Sequence, residues 1–140
     1  MSSTALATGI YNYSQVASML KTAIGGRVYQ VRAPQTPIYP FVIFFFVSDV
    51  PDYYFTAPSD SQQAIFNVQF QFNVYSKNTS TTEINTISDA LVDRFDFASL
   101  IVSGYNVFKL ERTAKYPPVW IEEVQGFVSS VVYNIQMKKS

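Results

Sequence analysis

Carboxylates, carboxamides and aromatic rings carry whatever chemistry this chain can do, because histidine and cysteine are both absent. Without them there is no Ser-His-Asp triad, no Cys-His pair, no disulfide and no Cys/His zinc site. Asp49 and Asp52 flank Val50-Pro51, and Asp60 follows. Such carboxylates can serve acid–base work or a hard cation, but aspartate beside proline is equally a turn former. Glu122 and Glu123 follow Trp120 as neighbours, and neighbours in an extended segment point to opposite sides. Asp89, Asp93 and Asp96, with Arg94, have the spacing of a solvated helix face. Five glycines, none in a phosphate-binding pattern, write neither a P-loop nor a dinucleotide fingerprint. No catalytic, cofactor-binding or metal-binding residue is therefore assigned, and no cofactor is expected.

The residues that remain are suited to binding protein. Tyr53, Tyr54 and Phe55 cluster in one segment, and Trp120, the single tryptophan, stands in another beside Pro117-Pro118. Aromatic residues of this kind anchor protein interfaces. Asn67, Gln69, Gln71 and Asn73 alternate with Phe66, Val68, Phe70, Phe72 and Val74, so one face of that segment is apolar and the other polar yet uncharged. Carboxamides go against a partner at lower cost than charges do.

Several elements must position these groups. Residues 1–11 are small and polar and read as a flexible N-terminal arm, leaving 12–140 as a single domain. Asn12 reads as an N-cap; Tyr13, Val16, Ala17, Leu20 and Ile24 make a helical stripe that Gly25-Gly26 ends. A short strand over 27–31 precedes a connector bearing Pro34, Pro37 and Pro40. Phe41–Val50 is apolar on both faces, the pattern of a central, doubly buried strand. Residues 51–61 read as a loop, and 63–76 is the clearest strand. Ser80 with Glu83 forms a capping box ahead of a helix whose stripe is Ile84, Ile87, Leu91 and Phe95, ending near Phe97. A strand over 105–115 places Phe108 and Leu110 together and is broken by Pro117-Pro118; 119–125 is a loop and 126–138 the last strand. The order predicts an α+β fold: a mostly antiparallel sheet of four long strands plus one short strand, with two helices packed on one face.

At 140 residues a full core is within reach. Ten basic residues balance ten acidic ones, which argues against binding nucleic acid through phosphate charge. Charged residues are 14% of the chain, where about 25% is usual, and aromatic residues are 16%. A neutral, charge-poor, aromatic-rich surface is predisposed to association. The first nine residues lack the basic and apolar stretches of a secretory signal, and the longest apolar run, Phe41–Val47, is far below the ~20 residues of a membrane span. Synthesis in a cytoplasm and no membrane partner are expected.

The helix exit Leu20–Tyr29, which ends Gly-Gly-Arg-Val-Tyr, leads into Ala33-Pro34-Gln35. Pro40-Phe41-Val42-Ile43-Phe44 and Ser48-Asp49-Val50-Pro51-Asp52-Tyr53 follow. Together with the later alternating strand, capped helix and basic end, this resembles the tail-completion, or tail-terminator, proteins that join heads to tails in long-tailed bacteriophages. The resemblance spans about residues 13–138. It implies a non-enzymatic structural protein at the head-proximal end of the virion tail. It also implies a homo-oligomer, a hexameric ring that caps the tail tube protein, docks to head-completion (stopper) proteins and lets DNA pass through its lumen without sequence-specific binding. Tyr53, Tyr54, Phe55, Trp120, Asn67, Gln69, Gln71 and Asn73 are the interface residues expected from the sequence. Another virion part, either a head-closure adaptor or a tube subunit, is the alternative. A small-ligand-binding domain using Asp49, Asp52 and Tyr53 is the third reading.

Overall fold

The computed structural model describes residues 3–15, 19–52, 65–96 and 98–139. The elements run α1 (Ser3–Gln15), α2 (Met19–Ile24), β1 (Val28–Gln30), β2 (Phe41–Asp52), β3 (Ile65–Ser76), α3 (Thr82–Phe95), β4 (Tyr105–Ile121) and β5 (Gly126–Lys139). The strands form one sheet in the order β1-β2-β3-β5-β4. Every pairing among the four long strands is antiparallel, while the short β1 lies parallel to β2. The α+β class and its four-long-plus-one-short sheet are as expected; the parallel edge strand and a third helix are additions.

Strict alternation makes β3 the keel. Phe66, Val68, Phe70, Phe72 and Val74 are all buried, and the residues between them are half-buried on the other side. Ile84, Ile87, Leu91 and Phe95 bring α3 down onto the apolar face, as their spacing predicts. Phe72, Phe95 and Tyr133 form the centre, with ring centroids 4.8 to 6.2 Å apart. Tyr133 is fully buried, and its hydroxyl donates to Asp96 Oδ1 at 2.8 Å, tying β5 to the end of α3. Arg112 stands 3.8 Å from the other oxygen of that carboxylate. Asp96 thus belongs to a half-buried clasp and not to a solvated helix face.

The N-terminal segment departs most from expectation. Residues 3–11 are helical, not a loose arm, and Asn12 lies inside α1. Leu6 and Ile10, one helical turn apart, are fully buried in the core. Gly9 allows the close approach: a Cβ there would meet the Ile101 carbonyl oxygen at 2.6 Å. Arg94 secures the far end. Its Nε and Nη2 donate to the Tyr13 carbonyl at 3.1 and 3.0 Å, and its guanidinium lies 3.6 Å over the Tyr13 ring. This sets a cation beside the last turn of α1, where the helix dipole favours one. At the end of α2, Gly25 and Gly26 adopt φ of 61° and 74°, and the Gly26 N–H returns to the Lys21 carbonyl.

Other expectations give way to local chemistry. β2 is buried on both faces only over Phe41–Phe44; a bulge follows Phe46, and Val47 and Val50 are exposed. β2 also continues through Pro51 and Asp52, where a loop was expected. Ser80 Oγ accepts the Thr82 N–H, but Glu83 takes the Ser76 hydroxyl at 2.6 Å and leaves the capping box open. β4 runs through Pro117-Pro118 to Ile121. It is an edge strand, so prolines lose no essential ladder bond there. Three register shifts insert one extra residue each, at 107–109, 112–114 and 116–119. The first separates Phe108 from Leu110: Leu110 is buried and Phe108 is exposed.

Two measurements check this account. Gly9→Ala, which raises helix propensity in an exposed helix, should here destabilise by about 1–3 kcal/mol through overpacking; urea unfolding reads the sign. Burial, and the hydrogen bond to Asp96, hold the Tyr133 hydroxyl well above its ordinary value near 10. The unfolded chain releases this proton above about pH 10 and the folded chain keeps it, so its contribution to stability is complete below that pH and declines as pH rises. Tyr133→Phe should cost about 1–2 kcal/mol at neutral pH and flatten the alkaline loss of stability.

Candidate assembly surfaces

The face of the sheet turned away from the core is covered by no helix among the described residues. Register assembles its rows. Gln71 pairs with Phe45 and Val132, Asn73 with Ile43 and Ser130, and Asn67 with Val50 and Gln136. Gln69 lies between Ser48 and Asn134. The four expected carboxamides therefore share one surface, and three of them are already organised. Gln71 Nε2 donates to Asn73 Oδ1 at 2.8 Å, Ser130 Oγ donates to the same oxygen at 2.8 Å, and Gln136 Nε2 donates to Asn67 Oδ1 at 2.9 Å. Each bond fixes a carboxamide in orientation and so directs its remaining donors and acceptors. Lys109 and Glu111, 3.1 Å apart on β4, bring charge to the β4 margin of this face.

One end of the same face is aromatic, which the sequence reading did not anticipate. Phe41 and Tyr75 stack at 4.9 Å, Tyr39 lies 4.9 Å from Phe41, and Tyr29 meets Phe41 edge-on at 6.0 Å. Lys77 sits over the Tyr39 ring at 4.6 Å. These rings bury Phe41 to 3% exposure without a helix above it. The signal available was Tyr39 and Phe41 on either side of Pro40, with Tyr29 in the neighbouring strand.

Trp120 lies elsewhere. It is in β4, not in a loop, and packs edge-on against Phe127 at 5.0 Å. Its register partner Phe127 lies on the core side of the sheet, so Trp120 and the carboxamides occupy opposite faces. It stands next to the β4–β5 turn, whose Glu122 and Glu123 are exposed. Tyr53, Tyr54, Phe55 and Asp60 lie outside the described residues. Among the described residues no group of three or more acidic side chains gathers as a metal site would require.

The sequence matches the family described as tail completion protein gp17 over residues 13–115. The chain belongs to that family. This tail-completion protein is accordingly a structural, tail-related component of the phage virion. Its fold is shared with a chain from the virion of a native gene transfer agent particle. That pair has a TM-score of 0.71 and 16% identity, covering 91% of this chain and 90% of the other. A second solved chain has a TM-score of 0.64 and 13% identity over 100% of this chain and 99% of its own. Among curated protein sequences, none matches. No helix among the described residues is long and apolar enough to cross a membrane.

If the carboxamide row is organised as described, Asn73→Ala removes the acceptor of two hydrogen bonds. The substitution should lower stability by about 1–2 kcal/mol, and Ser130→Ala by less; denaturant midpoints measure both.

Proposed function

We propose that this tail-completion protein acts as a ring, a hexamer, that caps the finished tail tube at its head-proximal end. The same ring engages the head-completion, or stopper, proteins, and the genome passes through its lumen. The family match over residues 13–115 carries the reading. The shared fold with a chain of a gene transfer agent virion supports a particle setting.

The surface chemistry agrees with it. A closed ring needs two different, complementary patches on each copy. The carboxamide face and the Trp120 end of the β4–β5 hairpin are separate surfaces that differ in chemistry. The first is half-buried and uncharged over Asn67, Gln69, Gln71 and Asn73, and hydrogen bonds hold Asn67, Gln71 and Asn73 in place, so little of their side-chain freedom is lost on contact. Tyr53, Tyr54 and Phe55 are proposed on composition alone as a contact with the tube or the adjacent copy. Net neutrality suits a channel that DNA slides through, because strong phosphate binding would retard it.

Light scattering and negative-stain imaging of the purified protein test the proposal. Closed rings with six times the mass of one chain are expected; open-ended tubes, or a monomer at every concentration, would overturn it. The double substitution Gln69→Lys, Gln71→Lys places two charges in the middle of the carboxamide face. It should leave the circular dichroism spectrum intact and abolish rings, and rings that form unchanged would remove this face from the contact.

A further inference from the structure

From the two edges of the sheet we infer which surfaces meet when copies of this chain join. The acidic β4–β5 turn of one copy seats in the groove between α1 and β1 of the next. This rests on the ring reading above and names its contact.

The groove is an open trough of about 610 Å³ along the free edge of β1. Thr4, Thr8 and Tyr11 of α1 form one wall, and Val28, Gln30 and Arg32 the other. Arg27 also lines it, and among the described residues that lining contains two arginines and no carboxylate. Arg27 is anchored, its Nε donating to the Pro40 carbonyl at 2.9 Å, whereas Arg32 is exposed. β1 stops at Gln30 because Val31 turns to φ 69°, a conformation that a β-branched residue adopts under strain. The edge therefore offers a short, basic notch and not a long ladder for strand addition.

The β4–β5 turn has the complementary features. Glu122 and Glu123 are exposed side by side, and Val119 and Trp120 are exposed just before them. Two negative charges with an apolar flank match two positive charges beside the Tyr11 ring. Position fits as well. β1 and β4 are the opposite edges of the sheet, so turn and groove are two different surfaces, as a head-to-tail contact requires. Register also sets them at the same end: Val28 pairs with Val42, Val42 with Val74, and Val74 with Ser129, three residues from the start of β5. Turn and groove thus differ in height by only about 10 Å. A rotation about an axis along the strands would bring one to the other with little rise, as closure of a ring needs.

The cysteine-free chain permits a direct test. Copies carrying Gln30→Cys are mixed with copies carrying Glu123→Cys under mild oxidation, and a disulfide-linked pair should appear only in the mixture. Separately, Glu122→Lys with Glu123→Lys should raise the concentration needed for assembly about tenfold or more. Adding Arg32→Glu to the same chain should recover part of that loss. Rings that persist with neither cross-link nor charge effect would overturn this contact and leave the ring standing. A chain that stays monomeric would remove both.

Discussion

Alternation along β3 divides the molecule into two environments. Side chains at even positions from Phe66 to Val74 point into a layer closed by α1, α2 and α3, and those at odd positions point away from it. A one-residue slip would exchange the two sets, so the register with β2 and β5 is held by the whole apolar face at once. All three helices go to the apolar side because only there can their own stripes be buried. Among the described residues the opposite side has no helical layer above it. It satisfies its carboxamides with hydrogen bonds along the sheet and packs tyrosine rings around Phe41. A pre-organised sheet face, uncharged along the Asn67, Gln69, Gln71 and Asn73 row, is what this division leaves open on a protein of a phage virion.

The α3 clasp shows how the layers stay in register with each other. Arg94 reaches one end of α1, while Asp96, two residues on, receives the hydroxyl of Tyr133 from β5. A single turn of helix therefore joins a second helix to the middle of the sheet. Both links use charged groups that are half-buried and partnered, the condition under which charge stabilises an interior instead of opening it.

Where periodicity is strong, the fold was legible in the sequence. β3 and the Ile84, Ile87, Leu91 and Phe95 stripe of α3 follow directly from spacing, and so does the grouping of Asn67, Gln69, Gln71 and Asn73 on one face. α1 was not legible because only Leu6 and Ile10 mark its buried stripe among small residues; docking, not composition, makes that segment helical. β4 was misread through Pro117-Pro118, since proline ends an interior strand but not an edge strand with a bulge. The bulge at Phe108 is likewise invisible to a period-two count. Trp120 was misplaced in a loop because of the same two prolines, after which β4 resumes its pairing with β5.

The irregular spacing of β4 has a further effect on how copies of this protein behave when crowded together. Because the strand carries three more residues than the partner it pairs with, its outward amides and carbonyls are not evenly spaced. Pro117 and Pro118 also bring no N–H to that stretch of the edge. A stray extended segment therefore finds no regular template on which to zip up. In a cell filling with many identical chains, this blunts fibrillar growth at an edge that would otherwise invite it.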